Sequence, residues 1–157
     1  MNARLAVLVS LTVAVTLTSV AAAGPTATKQ RVAINFKFHE STFVLVPFKA
    51  GALKRDSGTM LEYTHPLCLE VIRDGQKGTV CRGGRWTLTG KRGTLTIRTQ
   101  ATWVNPGSAG SCGIAFGTWK VVRGTGQYAG ITGGGRSAYD AHCAKWYARH
   151  EGFLTSP

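Results

Sequence analysis

The chain is short of the motifs that mark common chemistries, and each gap closes a class of function. No CxxC pair and no close Cys/His set occurs, so no metal site is expected. GxSxG is absent and no Ser/His/Asp set stands out, although "AGSCG" places Ser111 between glycines. No run of five or more like charges exists, so there is no nucleic-acid-binding tail and no specific nucleic-acid partner is expected. No stretch beyond the N-terminus is apolar enough to cross a bilayer. No segment keeps a helical period, and there is neither an internal repeat nor a low-complexity linker.

What is present begins with an export signature. A basic start (Met1 to Arg4) precedes the uncharged apolar run "LAVLVSLTVAVTLTSV", and "AAA" at Ala21 to Ala23 supplies small residues for cleavage. The run is shorter than the ~20 apolar residues of a spanning helix. The expectation is a cleaved signal peptide at 1–23, one domain at 24–157, and a secreted product without a membrane span. Losing Arg4 with the leader leaves 18 Lys and Arg against 7 Asp and Glu, a net charge of +11. Such a surface is drawn to anionic surfaces and polymers at low salt.

Four cysteines in a small exported domain read as two disulfides. In "CLEVIRDGQKGTVC", Asp74-Gly75 is a favoured two-residue hairpin turn. Folding there sets Arg73 opposite Gln76, Val71 opposite Gly78 and Cys68 opposite Cys81. Counting rungs outward puts the cysteines on a non-hydrogen-bonded pair, where Cα atoms approach to about 4.5 Å, within a disulfide's reach. Cys112 and Cys143 then pair by elimination.

The rest reads as strands. "RVAINFKF" alternates, with Val32, Ile34, Phe36 and Phe38 on one face. "STFVLVPF", "SGTMLEYTH", "FGTWKVV" and "GRSAYDAHCAKWYARHEGFL" are rich in β-formers. "RWTLTGKRGTLTIR" folds about "GKRG", with Trp86 opposite Ile97 and Leu88 opposite Leu95. About eight short strands at regular spacing give an all-β domain, either a sandwich or a closed eight-stranded barrel.

"GTGQYAGITGGG" (124–135) holds six glycines in twelve positions. Gly124, Gly126 and Ala129 fit GxGxxG/A, but a dinucleotide site also needs a helix starting inside the motif, and three consecutive glycines follow instead. No Lys-Ser/Thr completes a Walker A motif. The expectation is no cofactor. The glycines serve a tight turn and the bend of a crowded strand.

"GTWKVVRGTGQYAGITGGGRS" followed by "WYARHEGFLT" resembles the C-terminal half of secreted proteins with an allene oxide cyclase-like barrel, in which GTG-x-[YF]-x-G-x-x-G-x-G links two late strands. "STFVLVP" and "DSGTM" resemble that group's early strands. The resemblance implies an eight-stranded antiparallel β-barrel, as in the plant cyclases and dirigent proteins. The cyclases' catalytic carboxylate finds no residue-by-residue match here. Gly117-Thr118-Trp119 suggests an avidin- or lipocalin-like (calycin) barrel as the nearest rival.

Candidate residues follow from alternation. Met60 and Glu62 fall on one face of their strand, Leu61, Tyr63 and His65 on the other, and Glu70 lies close by. Glu62, His65 and Glu70 are the acid–base candidates, since a carboxylate in an apolar cavity has a raised pKa. Tyr63, Trp86 and Trp103 are the candidate ligand contacts. Asp56 in "RDSGT" reads as a turn residue capping its own backbone. The function expected is non-catalytic binding of a small apolar ligand or a macromolecular partner at the barrel mouth. The alternatives are an isomerase or cyclase working inside the barrel, and a cationic cell-surface effector or inhibitor.

Overall fold

The computed structural model describes residues 27–64, 67–73, 75–104, 113–142 and 145–157. The expected leader at 1–23, His65, Asp74, Ser111 and the cysteines Cys112 and Cys143 lie outside the described residues.

Nine strands run in chain order: β1 (Thr28–Lys37), β2 (Thr42–Pro47), β3 (Asp56–Thr64), β4 (Leu67–Arg73), β5 (Gln76–Gly90), β6 (Gly93–Val104), β7 (Gly113–Gly124), β8 (Thr132–His142) and β9 (Lys145–Ser156). They form one antiparallel sheet, ordered β3-β2-β1-β9-β8-β7-β6-β5-β4, with a further pairing of β3 to β5. That pairing closes eight strands into a ring. The ninth, β4, stays outside it and pairs only with β5 among the described residues.

The extra strand comes from the length of β5. Its fifteen residues reach about 50 Å at the usual strand rise, more than one partner needs. Residues 85–90 pair with β3 and residues 76–82 pair with β4. The cysteine hairpin therefore projects past the ring, with Leu67, Leu69 and Ile72 exposed on it. Its register is the one the turn dictates: Arg73 faces Gln76, Val71 faces Gly78, and Cys68 faces Cys81 across a disulfide with Cα atoms 4.0 Å apart. The second hairpin also keeps its register, Trp86 to Ile97 and Leu88 to Leu95.

Alternation fills the ring. Val32, Ile34, Leu45, Leu88, Leu95, Ile97 and Leu154 are almost wholly buried, and each contributes about 1.5–3 kcal/mol. β1 stops at Lys37, one residue short of its apolar pattern. Phe38 opens a 3-10 turn that Ser41 ends in a left-handed conformation, yet its ring still packs on the core.

One end of the ring is sealed. Gln30, buried on β1, donates to the Lys49 carbonyl at 2.7 Å and accepts from the Leu53 amide at 3.0 Å, holding the 48–55 connection over the opening. The glycine-rich segment completes the seal. Gly126 (φ +58°) opens a 3-10 turn, Gly126–Tyr128, that drives Tyr128 into the core, and Gly130 (φ +71°) turns the chain after it. A strand follows, β8, not the helix a dinucleotide site requires.

Candidate functional site

The opposite end gathers aromatic rings. The termini of β1, β6, β8 and β9 converge there, and antiparallel closure of β1 on β9 brings residues over a hundred positions apart into one cluster. Phe38 stands edge-on to Trp86 with centroids 5.1 Å apart, and stacks towards Tyr139 at 6.4 Å. Trp103 lies 5.6 Å from Tyr139 and 5.3 Å from Trp146. Phe38, Trp86 and Trp103 are only partly buried, and Trp146 is 36% exposed. Apolar ring surface thus runs continuously from the core to solvent at this end.

Beneath the rings lies a polar layer. His150 on β9 is 1% exposed and packs 4.6 Å from Phe36 and 5.4 Å from Tyr139 by ring centroids. Burial pushes its imidazole pKa down to about 3, so the ring is neutral. Burial also raises the Tyr139 phenol above its ordinary value. Ser137 pairs with His150 across β8 and β9. Neither the Ser137 hydroxyl nor His150 Nδ1 finds a hydrogen-bond partner among the described residues. Buried unmet polar atoms cost about 1–3 kcal/mol each.

The sequence candidates divide across the structure. Trp86 and Trp103 both belong to the aromatic cluster. Glu62 is the cross-strand partner of Trp86 and shares the inward face of Met60, while Leu61 points outward and is well exposed. Tyr63 lies on β3, but its side chain is outside the described residues, as is His65. Glu70 stands exposed on β4, opposite Thr79, on the projecting hairpin rather than in the ring. Glu62 and Glu70 are therefore not a pair facing one cavity.

Sequence reading missed Phe38, Tyr139 and His150 as site residues. Tyr139 and Ser137 alternate on β8, and His150 alternates with Ala148 and Leu154 on β9, so a period of two was available there. It lay hidden because no turn signal in the sequence fixes a register for counting between these strands. Among the described residues no group of three or more His, Cys, Asp or Glu could hold a metal ion, and no helix is long and apolar enough to cross a membrane. The chain matches no family model, no curated protein and no solved structure.

Proposed function

We propose that this is an exported, non-catalytic binding protein, and that its ring of eight strands is a barrel of the allene oxide cyclase-like, dirigent-like kind. The ligand is a small apolar molecule carrying a ring, held at the barrel mouth by Phe38, Trp86, Trp103 and Trp146. The observation that carries this reading is the half-buried aromatic cluster, which leaves ring faces available for stacking. The middle of the ring is filled by aliphatic side chains, which confines a ligand to this end. The fully buried His150 supports binding over catalysis, since a substrate at the mouth does not reach its imidazole.

An isomerase or cyclase is the second reading, favoured by the inward Glu62 beside Trp86. Turnover of an apolar substrate that Glu62→Gln abolishes would establish it. The binding reading is tested by native mass spectrometry of protein exported by its own host. A retained adduct of a few hundred daltons, lost from Trp103→Ala, supports it; bare protein in both samples counts against it.

A further inference from the structure

Away from the mouth, the outer face of β7, β8, β9 and β1 carries a concavity. Strand register sets its floor and walls. Arg136 on β8 lies between Thr118 of β7 and Glu151 of β9. One pleat along, Ala138 lies between Phe116 and Arg149; one pleat the other way, Gly134 lies between Lys120 and Phe153. The outward neighbours of Arg136 on its own strand are thus alanine and glycine. Low side chains on the middle strand, between taller ones on both flanks, leave an open trough of about 900 Å³.

Its charges are unequally committed. Glu151 accepts from Arg149 Nε at 2.6 Å and from Arg31 Nη2 at 3.2 Å, and these guanidinium groups hold its carboxyl below the usual range. Arg136, next to that carboxylate across the strands, makes no ion pair among the described residues. The one acidic group of the trough is therefore already neutralised, and one guanidinium fork is uncommitted. On either side of it, Phe116 is 58% exposed and Phe153 is 42% exposed. Lys29 lies over the Phe153 ring at 4.4 Å and adds positive charge at that edge.

We infer that this trough binds a small organic oxyanion with an apolar body. The carboxylate, sulfate or phosphate ester is gripped by Arg136 and the body lies against Phe116 and Phe153. Arginine suits the first task because its planar fork matches an oxyanion in two parallel hydrogen bonds. The exposed phenyl rings suit the second, and the volume lies within the range of small-molecule sites. The occupant is a detached molecule and not a lipid surface, because the site is concave between strands while a bilayer presents a flat face. The site is independent of the aromatic mouth, and each stands or falls without the other.

Calorimetric titration with octyl sulfate, below its micelle concentration, tests this. Octyl sulfate is expected to bind with a stoichiometry of one, and 1-octanol and inorganic sulfate at least tenfold more weakly. Arg136→Gln is expected to weaken octyl sulfate at least tenfold, with Arg136→Lys in between, because lysine keeps the charge and loses the fork. Phe116→Ala removes apolar contact and is expected to weaken it several-fold. Arg136 is exposed, so an unchanged melting temperature of Arg136→Gln shows that the fold persists. Equal binding by wild type and Arg136→Gln, equal binding of 1-octanol, or binding only to phosphatidylglycerol vesicles would each overturn the inference.

Discussion

The Tyr128 hydroxyl donates a 2.8 Å hydrogen bond to Asp56 Oδ2, joining residues 72 apart in a buried corner of the ring. The same carboxylate accepts from the amides of Ser57 (2.9 Å), Lys91 (3.1 Å) and Arg92 (3.3 Å). Asp56 caps its own backbone, as its "RDSGT" setting suggests, and also pins the β5–β6 turn and the glycine-rich segment to the start of β3. Burial and the neighbouring carboxylate drive the Tyr128 phenol pKa well above its ordinary value. Tyr128→Phe is expected to destabilise by about 1.5–3 kcal/mol, the worth of a hydrogen bond to a charged group. Asp56→Ala should destabilise more, because it strands several donors at once. Urea midpoints at constant m-value check both.

The three consecutive glycines lie on β8, paired with the final strand: Gly133 with Leu154, Gly134 with Phe153 and Gly135 with Gly152. Gly133 has φ +148°, and a Cβ there would fall on the Phe153 carbonyl oxygen. At Gly135 a Cβ would fall on the Glu151 carbonyl oxygen, the same atom that accepts from the Trp119 indole. Gly133→Ala and Gly135→Ala are each expected to destabilise by ~1 kcal/mol or more. Amide exchange across Glu151 to Thr155 should quicken in both variants. Wild-type melting and exchange in both would mean that these glycines are not architectural.

The Cys68–Cys81 bridge spans a sequence separation of 13 on a hairpin that projects from the ring. A loop of this size is worth about 3 kcal/mol in the chain-entropy model. Ring closure runs through β3 and β5, not β4, so a Cys68→Ser/Cys81→Ser variant should lose exchange protection first in residues 67–82. Simultaneous loss throughout the ring would contradict that order. Non-reducing peptide mapping should also recover Cys112 joined to Cys143.

His150 gives the fold an acid sensitivity. Above about pH 6.5 its imidazole is neutral in both the folded and the unfolded chain, and the group has no effect on stability. Between that value and the folded pKa of about 3, only the unfolded chain takes up the proton. Stability should therefore fall with pH across this window, by at most ~1.4 kcal/mol per pH unit from this group. His150→Leu should flatten that part of the profile. Parallel profiles for the two proteins would show that the imidazole is not held neutral.

The two hairpins were legible because a turn fixes a register by counting, as Asp74-Gly75 does for Cys68 and Cys81. The place of β4 outside the ring was not, because nothing local says that β5 is long enough to take two partners in succession. Trp86 could be placed by its face from the hairpin pattern alone. Phe38 could be placed on the apolar face of its own strand, but its contacts with Trp86 and Tyr139 could not, since they form only when the ring closes. The reach of Tyr128 to Asp56 was hidden for the same reason, as a contact made by ring closure rather than by any short stretch of sequence.

Binding at the aromatic mouth is tested most directly by titrating the purified protein with N-phenyl-1-naphthylamine, a neutral ring-bearing probe, while following tryptophan emission. Saturable quenching with energy transfer to the probe is expected, insensitive to a few hundred millimolar salt because no charge is involved. Trp103→Ala should weaken it about tenfold or more, and Arg136→Gln should leave it unchanged. Non-saturable quenching, or equal affinity in wild type and Trp103→Ala, would contradict a ligand site at this end of the ring.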